Sequence, residues 1–377
     1  MTDVFIVSDN ITSPLGTTSE ENFVQLKTGV SGVKRHYNES IYPHPFYASL
    51  FDDDSFNTSN GNMPYTKFEQ LLIASIKDAL QNTEIDVSSN KTILIISSTK
   101  GNISLLESGD YDETLEKRIS LTTSANLVAN HFNFANKPLV VCNACISGLL
   151  ALITAMRLII SGAYENAIVA GADEITKFVL SGFQSFQALS MGVCKPFDAD
   201  RDGINLGEGA ATIILSANKR YAGNIKLKSG SVSNDANHIS GPSRTGEELY
   251  QVIDKALKDA GVAAADIDFI SAHGTATRYN DEMEAKALAL AGLNNVPVNS
   301  LKAYFGHTLG AAGLLESVIT IQSMRNDTIL PSLGFKNAGV SQAINVSEEV
   351  MHTPLNNCLK TASGFGGCNA AVVFSKY

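Results

Sequence analysis

The chain has 377 residues, 44% of them hydrophobic and 18% charged, the composition of a globular chain with a full core rather than a disordered one. Its 38 acidic and 28 basic residues leave a net charge of −10, which removes the electrostatic basis for a nucleic-acid partner. No apolar run is long enough to span a membrane, because the longest, 148–160, is broken by Arg157. The start, Met1-Thr2-Asp3-Val4, has neither the basic region nor the apolar block of a secretory leader, which points to the cytoplasm. Five cysteines, an odd number, fit thiol chemistry rather than a disulfide framework.

At about 150 residues per domain, this length fits two domains or one unit built from two similar halves. In chain order, Val4–Val7 reads as a strand running into Ser8-Asp9-Asn10, and 36–66, rich in Pro, Asn, Asp and Tyr, reads as a surface excursion. Residues 68–80 are amphipathic, Thr92–Ser97 is a strand, and a long helix pattern opens at Gly148. This alternation is that of α/β architecture. The helix from Gly148 is loosely echoed 165 residues later from Gly313, and Ile93–Ser97 is echoed 174 residues later by Ile267–Ser271. Two echoes in the same order point to a duplicated unit. The composition shift at 216–223 then divides the chain into 1–222 and 223–377.

Val140-Val141-Cys142-Asn143-Ala144-Cys145 is a strand ending in small residues immediately before a helix. Cys145 therefore falls at a strand-to-helix turn, where the helix dipole would lower its pKa. Position alone leaves two readings, a sulfur nucleophile or a small buried hydrophobe. Cys142 is expected to point into the core. A zinc site is not supported, because Cys194, Cys358 and Cys368 form no second ligand pair. Asp198-Ala199-Asp200-Arg201-Asp202-Gly203 opens like a calcium loop, but Gly209 stands where the twelfth-position acid is needed, so it reads as a charged turn. His273 follows a strand and His307 precedes a helix, both in loops at element ends, unlike His36, His44, His131, His238 and His352. The glycine-dense turn 364–367 lacks the ending of a phosphate loop and reads as a turn that lets backbone approach a ligand.

Taken in order, these segments resemble the elongating β-ketoacyl-acyl-carrier-protein synthases, condensing enzymes of the thiolase fold. The resemblance covers nearly the whole chain. It runs through Ala144–Gly148, Lys195-Pro196-Phe197-Asp198 with Arg201–Gly203, Gly207–Ala210 and Asp235-Ala236-Asn237-His238. It continues with His273–Thr277, Asn280-Asp281, Glu284, Lys302 through His307 to Glu316, and Gly364–Gly367. It implies a thiolase-like α/β fold of two duplicated halves forming a layered α-β-α-β-α core. It also implies a decarboxylating condensation of a carrier-bound acyl group with malonyl-carrier protein, as in fatty acid elongation, with no organic cofactor and no metal.

The resemblance makes Cys145 the nucleophile, His273 and His307 the donors to the malonyl thioester carbonyl, and Lys302 and Glu316 the residues that orient them. Phe365 matches the residue that gates the acyl pocket, Thr275 and Thr277 contact the phosphopantetheine arm, and Gly366 belongs to the substrate turn. The partner implied is an acyl carrier protein, with Lys67, Lys117 and Arg118 as candidate docking cations, and the assembly a homodimer or a heterodimer with a related subunit. Departures are Asn143, a shortened loop after Ala188-Leu189-Ser190, the Ser8-Asp9-Asn10 segment, and Cys368. They leave open a specialised polyene, polyketide or pigment synthase working with a partner. A non-catalytic chain-length partner would be expected to lack the nucleophile.

Overall fold

The computed structural model describes residues 2–39, 41–52, 56, 65–107, 111–236 and 241–377. Asn237, His238 and much of the 36–66 excursion lie outside the described residues. Eleven strands form the main sheet: β1 (Phe5–Thr12), β2 (Thr92–Ser97), β3 (Leu139–Val141), β4 (Asn166–Asp173), β5 (Gly209–Ser216) and β6 (Ile225–Asn234) come first. They are followed by β7 (Phe269–Ser271), β8 (Pro297–Asn299), β9 (Asn345–Val346), β10 (Asn357–Gly364) and β11 (Cys368–Lys376). Their order in the sheet is β9-β8-β7-β10-β11-β6-β1-β5-β4-β2-β3.

Outward from the centre, β1-β5-β4-β2-β3 run with two antiparallel and then two parallel pairings. The series β6-β11-β10-β7-β8 repeats that pattern. The two series meet at one antiparallel pair, Phe5 opposite Lys226. This is the topology of the thiolase-like architecture, and β2 and β7, which carry one of the sequence echoes, occupy equivalent places in the two series.

The helices that matter for the site are α1 (Lys67–Gln81), α2 (Leu121–His131), α3 (Ser147–Ile160), α4 (Lys177–Ser185), α5 (Glu247–Ala260), α6 (Arg278–Leu290) and α7 (Ala312–Arg325). Period-two alternation divides the strand side chains between layers. Ile93 and Ile95 join Leu152, Ile153, Leu314 and Val318 in the central layer, whereas Leu94 and Ile96 face Phe68, Leu72 and Ile76 of α1 outside. On the other series, Val372 and Phe374 face the centre, and Ala371 and Val373 meet α5. The central pair α3 and α7 comes close because both carry glycine at the crossing. A Cβ on Gly148 would lie 2.5 Å from the Leu314 nitrogen, and one on Gly313 would lie 3.0 Å from Leu149 Cγ.

β1 does not stop at Ser8-Asp9-Asn10 but continues through it to Thr12, with a bulge between Ile6 and Ser8. The polar side chains are tolerated because each is bonded: Ser8 donates to the Ala79 carbonyl at 2.7 Å, and Asn10 Nδ2 to Asp78 at 2.7 Å. Asp9 accepts from Gln322 at 2.9 Å and from Arg325 at 2.5 Å. Among the described residues no helix is long and apolar enough to cross a membrane.

Candidate active site

The site lies where the two strand series turn their loops toward each other. Cys145 follows β3, and the turn that presents it places Ala144 at φ 43°, a left-handed conformation that costs a β-carbon residue on the order of 1–3 kcal/mol. Ser147 holds that turn. Its hydroxyl donates to the Ala144 carbonyl at 2.6 Å and accepts from the Asn143 amide at 2.8 Å. Gly364 closes the other side, where an added Cβ would meet the Cys145 nitrogen at 2.9 Å and Cys368 Sγ at 2.9 Å. Cys368 in turn bonds the Phe365 carbonyl at 3.5 Å and the Asn143 carbonyl at 3.9 Å, linking the cysteine turn to the glycine turn.

His307 Nε2 lies 3.0 Å from Cys145 Sγ, and the Phe365 N–H is directed at the same sulfur. The His273 ring stands nearly perpendicular to that of His307, at 83° with centroids 5.4 Å apart. One ligating atom from each of Cys145, His273 and His307 falls within a 4.8 Å circle. His307 is seated by backbone, its N–H donating to the Asn205 carbonyl at 2.7 Å and its own carbonyl accepting from Gly207 at 3.1 Å. Gly207 must be glycine for that approach, since a Cβ there would lie 1.8 Å from the Phe305 carbonyl oxygen.

Burial governs the protonation states. It pushes the Cys145 thiol up to about 12, against the lowering influence of Lys302 and the Phe365 amide. The sulfur borders the cavity but is otherwise enclosed, and the cost of desolvating a thiolate works against the lowering expected from the helix dipole. Burial also holds His273 and His307 well below the ordinary imidazole range, reinforced by the positive charge of Lys302. The resting site is a neutral thiol beside two neutral imidazoles.

Lys302 and Glu316 form a buried ion pair behind the histidines, and Lys302 Nζ donates to the His273 carbonyl at 3.1 Å. They touch the loop rather than the cavity. Thr275 and Thr277 line the cavity with hydroxyls 2.8 Å apart. Phe365, 41% exposed, stacks on Phe183 at 5.8 Å and meets Phe186 at 5.4 Å with the rings tilted by 57°. Gly366 does not line the cavity, although both its neighbours do; its φ of 86° lets the turn form. The cavity itself measures about 640 Å³ and runs from Cys145 past the three phenylalanines to Arg278 and Tyr279 at its mouth.

Three expectations require correction. Cys142 is exposed rather than in the core, because it follows β3, the edge strand of the sheet. Lys67 is paired with Glu208 at 2.8 Å, and Arg118 is bound to the fully buried Glu69, so neither is a free docking cation; among the described residues, Lys117 alone of the three is exposed without an ion pair. Sequence reasoning also missed Arg278 at the mouth, and Lys360, which is wholly buried behind the site with Nζ 2.8 Å from Glu316. The sequence held a signal for the second: Cys358-Leu359-Lys360-Thr361-Ala362 places a lysine in the middle of a strand with no other charged residue. The shortened 190–195 loop is pinned by Asn205, which accepts from the Cys194 amide at 2.7 Å and donates to the Gly192 carbonyl at 2.8 Å. The Asp198 carboxylate ties its turn to the amides of Lys336 and Asn337, as a charged turn should.

A thiol, two imidazoles and a converging amide beside a deep cavity, on two repeated α/β series, define a condensing-enzyme site of the thiolase-like class. The sequence matches the beta-ketoacyl synthase N-terminal domain over residues 1–220 and the beta-ketoacyl synthase C-terminal domain over residues 225–336, so the chain belongs to the β-ketoacyl synthase family and is a ketosynthase. It is 30% identical to 3-oxoacyl-[acyl-carrier-protein] synthase 2 of Rhizobium meliloti over 100% of this chain and 99% of the relative. That alignment spans 422 positions against 377 residues, so the relative carries insertions absent here. The ishigamide ketosynthase/chain length factor superimposes with a TM-score of 0.89 at 26% identity, covering 100% of this chain and 99% of that one. The Xenorhabdus doucetiae ketosynthase ApeO, solved with its chain length factor ApeC, gives 0.90 at 24%, over 100% and 98%.

Proposed function

We propose that the protein condenses a carrier-bound acyl group with malonyl-carrier protein, releasing CO2 and a β-ketoacyl-carrier protein, and that Cys145, His273 and His307 carry the chemistry. The observation that supports this most directly is the 3.0 Å approach of His307 Nε2 to Cys145 Sγ, with the Phe365 amide on the same sulfur. With thiol and imidazole both neutral, the proton leaves sulfur as the thioester is attacked, so no standing thiolate is required. The acyl group moves to Cys145, and the carrier leaves as its free thiol. The amides of Cys145 and Phe365 are positioned to stabilise the oxyanion of that step.

Malonyl-carrier protein then loses CO2, and charge develops on its thioester oxygen, to which the two neutral imidazoles donate. The resulting carbanion forms a C–C bond with the acyl carbonyl, the Cys145–acyl bond breaks with the electron pair going to sulfur, and the thiolate takes up one proton from water to regenerate the thiol. Lys302 and Glu316 hold the His273 loop, Phe365 gates the acyl pocket, and Thr275 and Thr277 receive the phosphopantetheine arm, with Gly366 shaping the turn between them. The same reading divides the chain at 222/223 and places it in the cytoplasm, where its five free thiols persist. As the chain is itself net acidic, an acidic carrier needs a local cation, and Arg278 on the cavity wall and the exposed Lys117 are two candidates.

A second reading, a specialised synthase paired with a related subunit, is favoured by the ishigamide and Xenorhabdus ketosynthases, each solved with a chain length factor, and by the trimmed loops. One experiment tests both. The purified protein and Cys145→Ala are mixed with malonyl-carrier protein and a panel of acyl-carrier proteins, following CO2 release and intact mass. Acylation of Cys145 and a β-ketoacyl product from the protein alone support the homodimeric enzyme. Activity only after a partner subunit is added supports the second reading, and acylation of Cys145→Ala at the wild-type rate overturns the assignment of the nucleophile.

A further inference from the structure

The backbone around His273 is held in an unusual way. The carbonyls of Ser271, Ala272 and His273, three successive residues, all accept from buried ammonium groups: Lys360 Nζ reaches the first two at 3.2 and 3.1 Å, and Lys302 Nζ reaches the third at 3.1 Å. The amides that follow go to buried carboxylates. His273 and Gly274 donate to Glu284 at 2.9 and 2.8 Å, and Thr275 donates to Asp281 at 2.9 Å. Lys360 also donates to its neighbour's carbonyl, Thr361, at 2.7 Å. Three carbonyl acceptors consume three N–H bonds, which only the protonated amine possesses. The same ammonium lies 2.8 Å from Glu316 Oε2 as an ion pair.

We propose that Lys360 is a positioning residue of the condensing site, a second buried ammonium that shares Glu316 with Lys302 and fixes the strand end from which His273 projects. This rests on the proposed role of the two histidines. The arrangement has an electrical consequence. Glu316 is one negative charge shared by two positive ones, and the second nearby carboxylate, Glu284, sits on the amide side of the His273 turn.

The other charged or titratable groups around the histidines are Cys145 at the start of α3, Glu284 and Asp281 on α6, and Asp202, Asp235 and Arg278 on the cavity wall. Glu284 accepts from the His273 and Gly274 amides and the Thr361 hydroxyl, and Asp281 accepts from the Thr275 and Phe197 amides and lies 4.0 Å from Arg201. Lys302 and Lys360 thus both oppose a proton on either imidazole, in line with the lowering that their charges produce at His273 and His307. A neutral imidazole keeps its donor N–H for the thioester oxygen without becoming an acid that would quench the carbanion.

The test uses the full-length protein labelled with 13C at histidine Cε1, titrated by NMR, together with the pH profile of malonyl-carrier decarboxylation. Lys360→Met removes charge and clamp; Lys360→Gln keeps two donors and removes only the charge. Both are expected to move protonation of the two imidazoles, and the acid limb of decarboxylation, to higher pH by about one unit, with Gln retaining more of the rate at pH 8 than Met. Glu316→Gln leaves both ammonium groups and removes their anion, so it moves the limb to lower pH, and that arm does not depend on any Lys360 variant folding. A role confined to packing predicts no such opposition of sign. Unchanged imidazole titration in Lys360→Gln, or a shift of the same sign in Glu316→Gln, overturns the proposal. Because the NMR titration needs no turnover, an inactive wild type would refute the condensation reading while leaving this one to be decided by the titration.

Discussion

The contact between α3 and α7 offers the sharpest test of how packing sets the chemistry. Replacing Gly148 by Ala puts a Cβ 2.5 Å from the Leu314 nitrogen, 3.0 Å from Leu314 Cβ and 3.3 Å from the Gly310 carbonyl, two of them backbone atoms that no rotamer change can move. Ordinary contact begins at 3.4 Å, so the helices must part by about 1 Å. Overpacking of this kind costs about 1–3 kcal/mol. The same movement separates Cys145, just before α3, from His307, just before α7, and a misplacement of about 1 Å typically costs on the order of 10²-fold in rate. Gly148→Ala is therefore expected to lower both the denaturation midpoint and, more severely, the rate of Cys145 acylation measured by intact mass. Gly313→Ala, whose Cβ meets Leu149 Cγ at 3.0 Å and its nitrogen at 3.2 Å, should be milder in both. Wild-type acylation and stability in Gly148→Ala would refute the claim that this crossing sets the distance between sulfur and imidazole.

With its thiol pushed up to about 12, Cys145 should react with iodoacetamide more slowly than a free thiol at pH 8 and accelerate with each step upward in pH; faster labelling than glutathione would show an activated thiolate instead. His273→Ala and His307→Ala should each lower malonyl decarboxylation by on the order of 10²–10³-fold, the usual cost of an oxyanion donor, measured as CO2 release. Arg118→Ala should act on stability rather than carrier affinity, because it strands the buried Glu69 carboxylate. A loss of about 3 kcal/mol in urea unfolding with an unchanged KM for carrier protein is expected, and the reverse would restore Arg118 as a docking residue. Arg278→Glu should raise KM for acyl-carrier protein with kcat nearly unchanged, and an unaltered KM would remove it from the mouth surface.

The fold was legible wherever local pattern and burial agree. Thr92–Ser97 is a strand with the limits its β-branched run marks, and the helix from 147 follows its apolar stripe; the Gly148 and Gly313 echoes mark one packing contact seen from its two sides. What the sequence withheld is long-range. Lys67 and Arg118 look like free surface cations until Glu208 and Glu69 come in from 141 and 49 residues away. The dipole at the start of α3 is local and visible, but the burial that works against it is assembled from distant segments. Cys142 was misplaced because nothing local tells an edge strand from a central one.

One arrangement has a wider consequence. The sulfur hangs from the strand series that begins the chain, while the imidazoles and the buried charges behind them hang from the series that ends it. Two copies of one scaffold have divided the labour rather than duplicated it. Each retains the shape of a complete unit, yet neither holds a complete set of reactive groups. A fragment of either kind would lose the central layer it shares with the other as well as the chemistry, and any rearrangement of the gene that preserves activity must keep both copies facing across the same pair of glycines.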